Sequence, residues 1–460
     1  MWQVVLLGAF SYLVLGYLAV LYYKERTILL DVAYRFYEIL KNGSFAIQVN
    51  RFGSLFTQSF IFFGYHLALP LKYIMIAYSL SFIIYNALIF YLLAAWQKNK
   101  DLALLLLLSK LLFLAFTFYW IQSELLEGIS FTILYFGTLR HYINKKYKLK
   151  FQLLLFSMLI TIVFFHPILI VVFLFITAFE WIHQDNPRYK QYLLAGIPLA
   201  LLIYLIKVVF FRSAYDNASM SSLKNILNYF PAYWEMPSIS FFWINLVQYY
   251  YFYILLLIVV VCYLFQYKNK RLFYLVVVFI LGYTSLILVS FANNNANWHM
   301  ESFYYPLGVF VLLPFVQLIV PKMKFKSGIF CVFFVVKIGL LLQVASLFTH
   351  KLNNKRKLLS QTATLDHKKL LIDTKDVSTI LYDKAWAAPF EFWLLSALEM
   401  KEQRSVVLYD SLPQIQQWDN LKKRNAFVTI WGSTDYDKFN VRYFELNDSS
   451  AYAFYTPIDQ

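Results

Sequence analysis

A chain of 460 residues that is 60% hydrophobic, 20% aromatic and only 14% charged lies outside the soluble globular range, where about half of the residues are apolar. Runs of about 20 apolar residues, each able to cross a bilayer core of about 30 Å, recur along most of it. The fold class is therefore a polytopic α-helical membrane protein. The net charge of +16 does not point to nucleic acid, because many of the basic residues sit in short loops between apolar runs.

The first apolar run, 2–22, lacks a basic leading segment and a small-residue cleavage pattern, so it reads as a retained helix rather than a removed signal peptide. It is followed by a long amphipathic loop, 23–70. On a predicted helix over about 27–41, Asp31, Arg35 and Glu38 fall at i, i+4 and i+7 and share one face. Ile28, Leu29, Val32, Phe36, Ile39 and Leu40 form the greasy side. Such a loop is expected to lie along the bilayer surface as short helices, presenting the Asp31 carboxylate at the interface. An ordinary i,i+4 Asp–Arg pair on an interfacial helix fits the same spacing. Arg51 opens a second amphipathic stretch with Ser54 and Gln58 on its stripe. Its guanidinium suits a phosphate and equally a lipid headgroup.

Ten further spans follow by the 20-residue criterion: 71–96, 102–119, 121–140, 151–165, 167–183, 191–211, 241–266, 271–291, 303–320 and 328–348. The total is about 11 transmembrane helices. Within 151–183, His166-Pro167 marks the tip of a tight hairpin that dips into the membrane and needs protein or water to satisfy its freed backbone. Lys110 and Lys337 fall mid-span and should face a polar cavity or a carboxylate. Lys207, near a span end, reads as a snorkelling side chain. Glu124 and Glu127 lie i,i+3 near one end of the fourth span, where carboxylates usually face a cavity; the headgroup zone is the plainer alternative. His299 and Glu301, on a polar loop entering the tenth span, are candidate acceptor contacts. Cys262 and Cys331 both fall in predicted spans, and no metal-type Cys/His cluster occurs.

Loop charge sets the orientation. The loops at 97–100, 140–150, 183–190, 267–271 and 321–326 carry fifteen Lys or Arg, whereas the opposite short loops around 119–123, 166 and 292–302 carry none. The positive-inside rule makes the basic set and the N-terminus cytoplasmic. The loop bearing Asp31 and the tail are then external. In the tail, 349–460, charge density rises and apolar runs shorten. RSVVLYD and AFVTIWG read as strands; KRKLLSQTATLDHKKLLID and FEFWLLSALEMKEQ read as helices. The domains are thus 1–348 in the membrane and 349–460 as a separate small α/β or α+β extracytoplasmic unit.

An acid just after the first span (Asp31 in LLDVAYRF), a basic residue beyond it (Arg51 in VNRFGS), about 11 spans and an external C-terminal domain together resemble the GT-C superfamily of membrane glycosyltransferases. Protein O-mannosyltransferases and the aminoarabinose transferases of lipid A are of this type. The paired Asp-Glu of the mannosyltransferases and the WWD-type motif of the oligosaccharyltransferases are absent from this sequence. The resemblance implies transfer of a sugar from a polyprenyl-phosphate donor to a glycan, lipid or protein acceptor on the external face of a membrane, here a bacterial inner (plasma) membrane. Asp31 would be the catalytic acid/base, with Arg51, Lys110 and Lys337 toward the donor phosphate. Glu124, Glu127, His166, His299 and Glu301 would line the cavity or meet the acceptor. No cofactor or complete metal site is implied. A lipid-linked sugar flippase or polymerase-like transporter, and a non-enzymatic subunit with a docking tail, are the alternatives.

Overall fold

The computed structural model describes residues 2–121, 124–143, 148–211, 213, 222–267, 269–294, 296–324, 326–363, 365–377, 384–410, 421–446 and 448–455. Of the fifteen basic loop residues, Lys145, Lys146 and Lys268 lie outside these. The long helices in chain order are α1 Trp2–Leu21, α2 Tyr23–Thr27, α3 Leu30–Asn42, α4 Leu55–His66, α5 Leu71–Tyr91, α6 Lys100–Leu112, α7 Glu124–Tyr142 and α8 Lys148–Phe165. They continue with α9 Leu169–His183, α10 Pro187–Phe210, α11 Pro237–Gln248, α12 Tyr251–Gln266, α13 Lys270–Ser290, α14 Asn297–Pro314, α15 Lys326–Thr362 and α16 Ala388–Glu399.

Every apolar run forms helix, but the run lengths do not all survive as spans. Among the described residues, six helices are long and apolar enough to cross a membrane: Gln3–Leu21, Leu71–Trp96, Pro187–Phe210, Lys270–Ser290, Asn297–Lys322 and Gly328–Thr362. The pair α11 and α12 makes a seventh if it is one broken span, for it bends by 89°. The expected 11 is therefore not matched by length and composition. α6 stops after 13 residues, because the chain from Phe113 turns into a 3-10 segment at Phe116–Phe118. α8 and α9 are short apolar helices divided at His166–Ile168. α14 is the central helix, with 83% of its apolar window buried against at most 39% for the other spans.

α15 crosses the expected domain boundary at 348–349 without a break. Its 37 residues measure about 55 Å at the helical rise, well beyond a bilayer core of about 30 Å. The last third, KLNNKRKLLSQT, thus leads from the bundle into the tail. There β1 Lys369–Asp373 lies between β2 Ser405–Tyr409 and β5 Ala453–Phe454, both parallel to it, and α16 is on the crossover from β1 to β2. β3 Ala426–Thr429 and β4 Gly432–Asp435 form a hairpin turned at Ile430-Trp431. The two expected strand segments and the FEFWLLSALE helix stand. The stretch expected as one helix over 355–373 divides instead: it is helical to Thr362, and KLLID is the middle strand β1, buried at Lys369–Ile372. Four consecutive buried positions are what a central parallel strand requires.

α3 departs from the expected surface helix. Val32, Ala33, Phe36, Tyr37, Ile39 and Leu40 are all buried in protein. Phe36 meets Tyr78 of α5 edge-on at 5.3 Å. On the opposite side Tyr37 packs on Phe390, Phe427 and Phe439 of the tail at 4.8, 5.2 and 5.8 Å. The greasy side therefore finds protein rather than lipid, and the tail shares one apolar core with the bundle. Gly43 ends α3 at φ +63°, its N–H bonded to Ile39 O at 2.8 Å. Only glycine accepts that left-handed backbone without cost.

Candidate functional site

α3 presents Asp31 in its first turn and Arg35 one turn later. Both line a cavity of about 1180 Å³, enclosed by the tail, the 48–51 loop, α7, the His166-Pro167 break, α10 and the start of α14. The buried Arg35 donates from Nη2 to Glu124 Oε1 at 3.2 Å, and Arg51 Nη1 stands 3.7 Å from Glu124 Oε2. Glu124 thus holds two guanidiniums side by side. Nε of Arg35 has no hydrogen-bond partner among the described residues. Trp120 also lines the cavity, and its buried indole N–H has no hydrogen-bond partner among the described residues. Burial pushes the Asp31 carboxyl above the ordinary aspartate range. The Arg35 guanidinium opposes that shift, and the Glu124 carboxylate adds to it.

Four basic side chains (Arg35, Arg51, Lys207 and Lys384) face two carboxylates (Asp31 and Glu124) across this space. That balance suits an anion. His166 and His299 line it as well. His166 Nδ1 accepts from Ile168 N at 3.2 Å, which turns the chain into α9. His299 Nδ1 and Asn294 Nδ2 are 2.6 Å apart. Trp298, Trp386, Trp431 and Tyr34 supply aromatic walls. The apolar-with-convergent-polar character is that of a binding site. Among the described residues no three His, Cys, Asp or Glu side chains converge as a metal site.

Of the sequence-derived candidates, Asp31, Arg51, Glu124, His166 and His299 come together here, while the other four do not line the cavity. Glu127, one turn after Glu124 on α7, is buried. Lys110 donates to the Leu126 carbonyl, and Lys337 reaches Tyr249 O at 3.5 Å. These two mid-span lysines find backbone carbonyls. Glu301 is fully buried and departs from the expected loop position. It accepts from the N–H groups of Ala115, Phe116 and Thr117 at 3.0, 2.8 and 2.8 Å, from Thr117 Oγ1, and from Tyr250 OH at 2.5 Å. It caps the N-terminal end of the 3-10 turn that follows α6. Lys207, expected to snorkel, is instead buried at the cavity, donating to Val163 O at 2.8 Å. Lys384, Trp386 and Trp431 were not legible as site residues. Their signal was only aromatic and basic side chains in tail turns.

A second polar cluster lies apart from the cavity. Arg140 bridges Asp101 and Glu180, each at 2.5 Å, while Tyr189 OH and Gln317 Nε2 donate to Glu180 at 3.2 and 2.8 Å. Its groups are mutually paired, and it joins α6, α7, α9 and α10 to the segment after α14. Comparison of the chain with protein-family models, with characterised proteins and with solved structures gives no match.

Proposed function

We propose that this protein is a GT-C-type glycosyltransferase that moves a sugar from a polyprenyl-phosphate donor to an acceptor at the external face of the membrane. What supports the reading is one observation: a cavity beside the apolar bundle in which a partly buried Asp31 stands among four basic side chains and several tryptophans. In the fuller form of the proposal, α6 to α9 and the α11–α12 pair complete about 11 crossings as short or broken elements. The N-terminus is cytoplasmic, and the tail is periplasmic or extracellular.

An acceptor hydroxyl is a poor nucleophile at neutral pH and needs a positioned base. Its oxygen forms the new bond to the anomeric carbon as the bond from that carbon to the donor phosphate oxygen breaks. The electron pair leaves on the phosphate, and the hydroxyl proton passes to Asp31. A raised carboxyl pKa makes Asp31 a better base than an exposed aspartate. Arg51, with Arg35 beside it, meets the charge that develops on the leaving phosphate. Lys207 and Lys384 extend the positive field. Lys110 and Lys337 have no part in this version of the site.

The experiment is transfer of radiolabelled sugar from total polyprenyl-phosphate donors to extracted glycoconjugates by the purified protein in lipid. Asp31→Asn should lower turnover by about 10²–10⁴-fold, the usual worth of a general base, with membrane insertion intact. Wild-type transfer by Asp31→Asn removes Asp31 from the chemistry. No transfer by the wild type from any such donor removes the reaction.

A further inference from the structure

The tail contributes a part of the cavity that the transfer chemistry itself does not use. Trp431 sits in the two-residue turn of the β3–β4 hairpin, its N–H donating to Thr429 Oγ1 at 3.2 Å. One ring face is backed by Phe390, stacked at 6.0 Å and 23°, yet 55% of the residue is exposed. Trp386 leans on it at 5.2 Å and 45°, and Tyr34 meets it edge-on at 5.1 Å. A large aromatic at a hairpin tip, braced on one side and open on the other, is a preset platform. It loses little freedom when a ligand settles on it. Lys384 and Gln48 also line the cavity and supply hydrogen-bond donors.

Tyr34 and Asp31 are i,i+3 on α3, so their side chains stand roughly 5–6 Å apart at Cβ. The platform therefore begins about one helical turn from the carboxylate. A sugar has an apolar C–H face that covers an aromatic ring and a rim of hydroxyls that reach polar side chains. An acyl chain offers the first and lacks the second. We propose that Trp431 and Trp386, with Lys384 and Gln48, form an acceptor subsite for a saccharide, which lays one ring on Trp431 and extends a hydroxyl to Asp31. This deepens the glycosyl-transfer reading by naming the acceptor class, a glycan, and it rests on that reading for the role of Asp31.

The test reads binding without turnover, so it separates the two claims. The full-length protein in nanodiscs is mixed with maltotriose, mannotriose and chitotriose, with no donor present, and saturation transfer to the sugar ring protons is measured by NMR. Wild type and Asp31→Asn should both saturate at least one trisaccharide. Trp431→Ala and Trp386→Ala should weaken that binding by about tenfold, the scale of one aromatic contact, and Trp431→Phe should recover part of it. No saturated sugar in the wild type, or equal saturation in both alanine variants, overturns the subsite. Brominated phospholipid supplies the other arm: if it quenches the emission that Trp431→Ala removes, Trp431 lies in the membrane and the subsite is also overturned. Loss of transfer with Asp31→Asn unaffected in sugar binding leaves both readings standing. Sugar binding with wild-type transfer by Asp31→Asn overturns the catalytic role alone.

Discussion

Glu391 is where the tail and α3 are joined. It lies in the first turn of α16, fully buried. Its Oε1 accepts the Leu30 N–H at 2.7 Å, and its Oε2 stands 3.1 Å from Lys355 Nζ on the last third of α15. Leu30 is the residue before Asp31 and holds φ +45°, a left-handed backbone that a leucine keeps only when its surroundings impose it. Glu391→Ala leaves a buried ammonium without its counter-charge, which costs about 3–5 kcal/mol. The stranded Leu30 N–H is part of the same loss, worth about 1–3 kcal/mol. The assay is hydrogen exchange of α3 and α16 in the full-length protein in nanodiscs. Amide protection there should fall by about two to nearly four orders of magnitude, at a factor of ten per 1.4 kcal/mol. Adding Lys355→Met removes the orphaned charge and should recover most of the loss, leaving the Leu30 amide as the residual deficit. Protection within about threefold of wild type in Glu391→Ala, where about 0.6 kcal/mol is lost, would refute the reasoning. So would a double variant no better than the single one.

The remaining expectations concern the cavity, the α6 break and the orientation. Because burial raises the folded-state pKa of Asp31, the stability this group contributes is present below its unfolded value and is lost as pH rises through the folded one. Asp31→Asn should therefore melt higher than wild type at about pH 7 and lose that advantage toward about pH 4; a lower melting point at neutral pH contradicts the shift. Arg51→Ala should raise the donor KM more than it lowers kcat, and Arg51→Lys should recover only part, since lysine lacks the planar fork. Equal activity in lysine and arginine forms would show that a point charge is enough. Glu301→Gln replaces one acceptor oxygen with an NH2 donor that faces other donors in a buried cap of five hydrogen bonds and should cost about 3 kcal/mol, read as thermal unfolding in detergent; an unchanged midpoint removes Glu301 from the fold. Reporter fusions after Lys98 and after Gln460 should report opposite sides of the membrane, and activity of both on one side would reverse the orientation.

Apolar run length alone marked helices long and apolar enough to cross a bilayer, where few other structures satisfy their own backbone. The i,i+4 stripe of α3 likewise put Asp31 and Arg35 on one face before any neighbour was known, and the short β-branched and aromatic runs RSVVLYD and AFVTIWG marked β2 and β3. Other features needed the tertiary structure, since they depend on what a side chain meets. Lys110, Lys207 and Lys337 are each a lysine in an apolar run, and position in the run separates only Lys207, which it sends to the membrane edge. Packing gives all three a backbone carbonyl, of Leu126, Val163 and Tyr249, and places only Lys207 at the cavity. Glu301 has the chemistry of a site residue, yet it caps the start of the 3-10 turn after α6, at a break that hydropathy does not register because Phe113–Phe118 is as apolar as the helix before it. The apolar side of α3 specified burial but not the partner, and the tail's aromatic residues took the place expected of lipid. That choice brings Trp386 and Trp431, distant in sequence from Asp31, to the same cavity. No local pattern encodes such a meeting, because it is made by the docking of one folded unit on another.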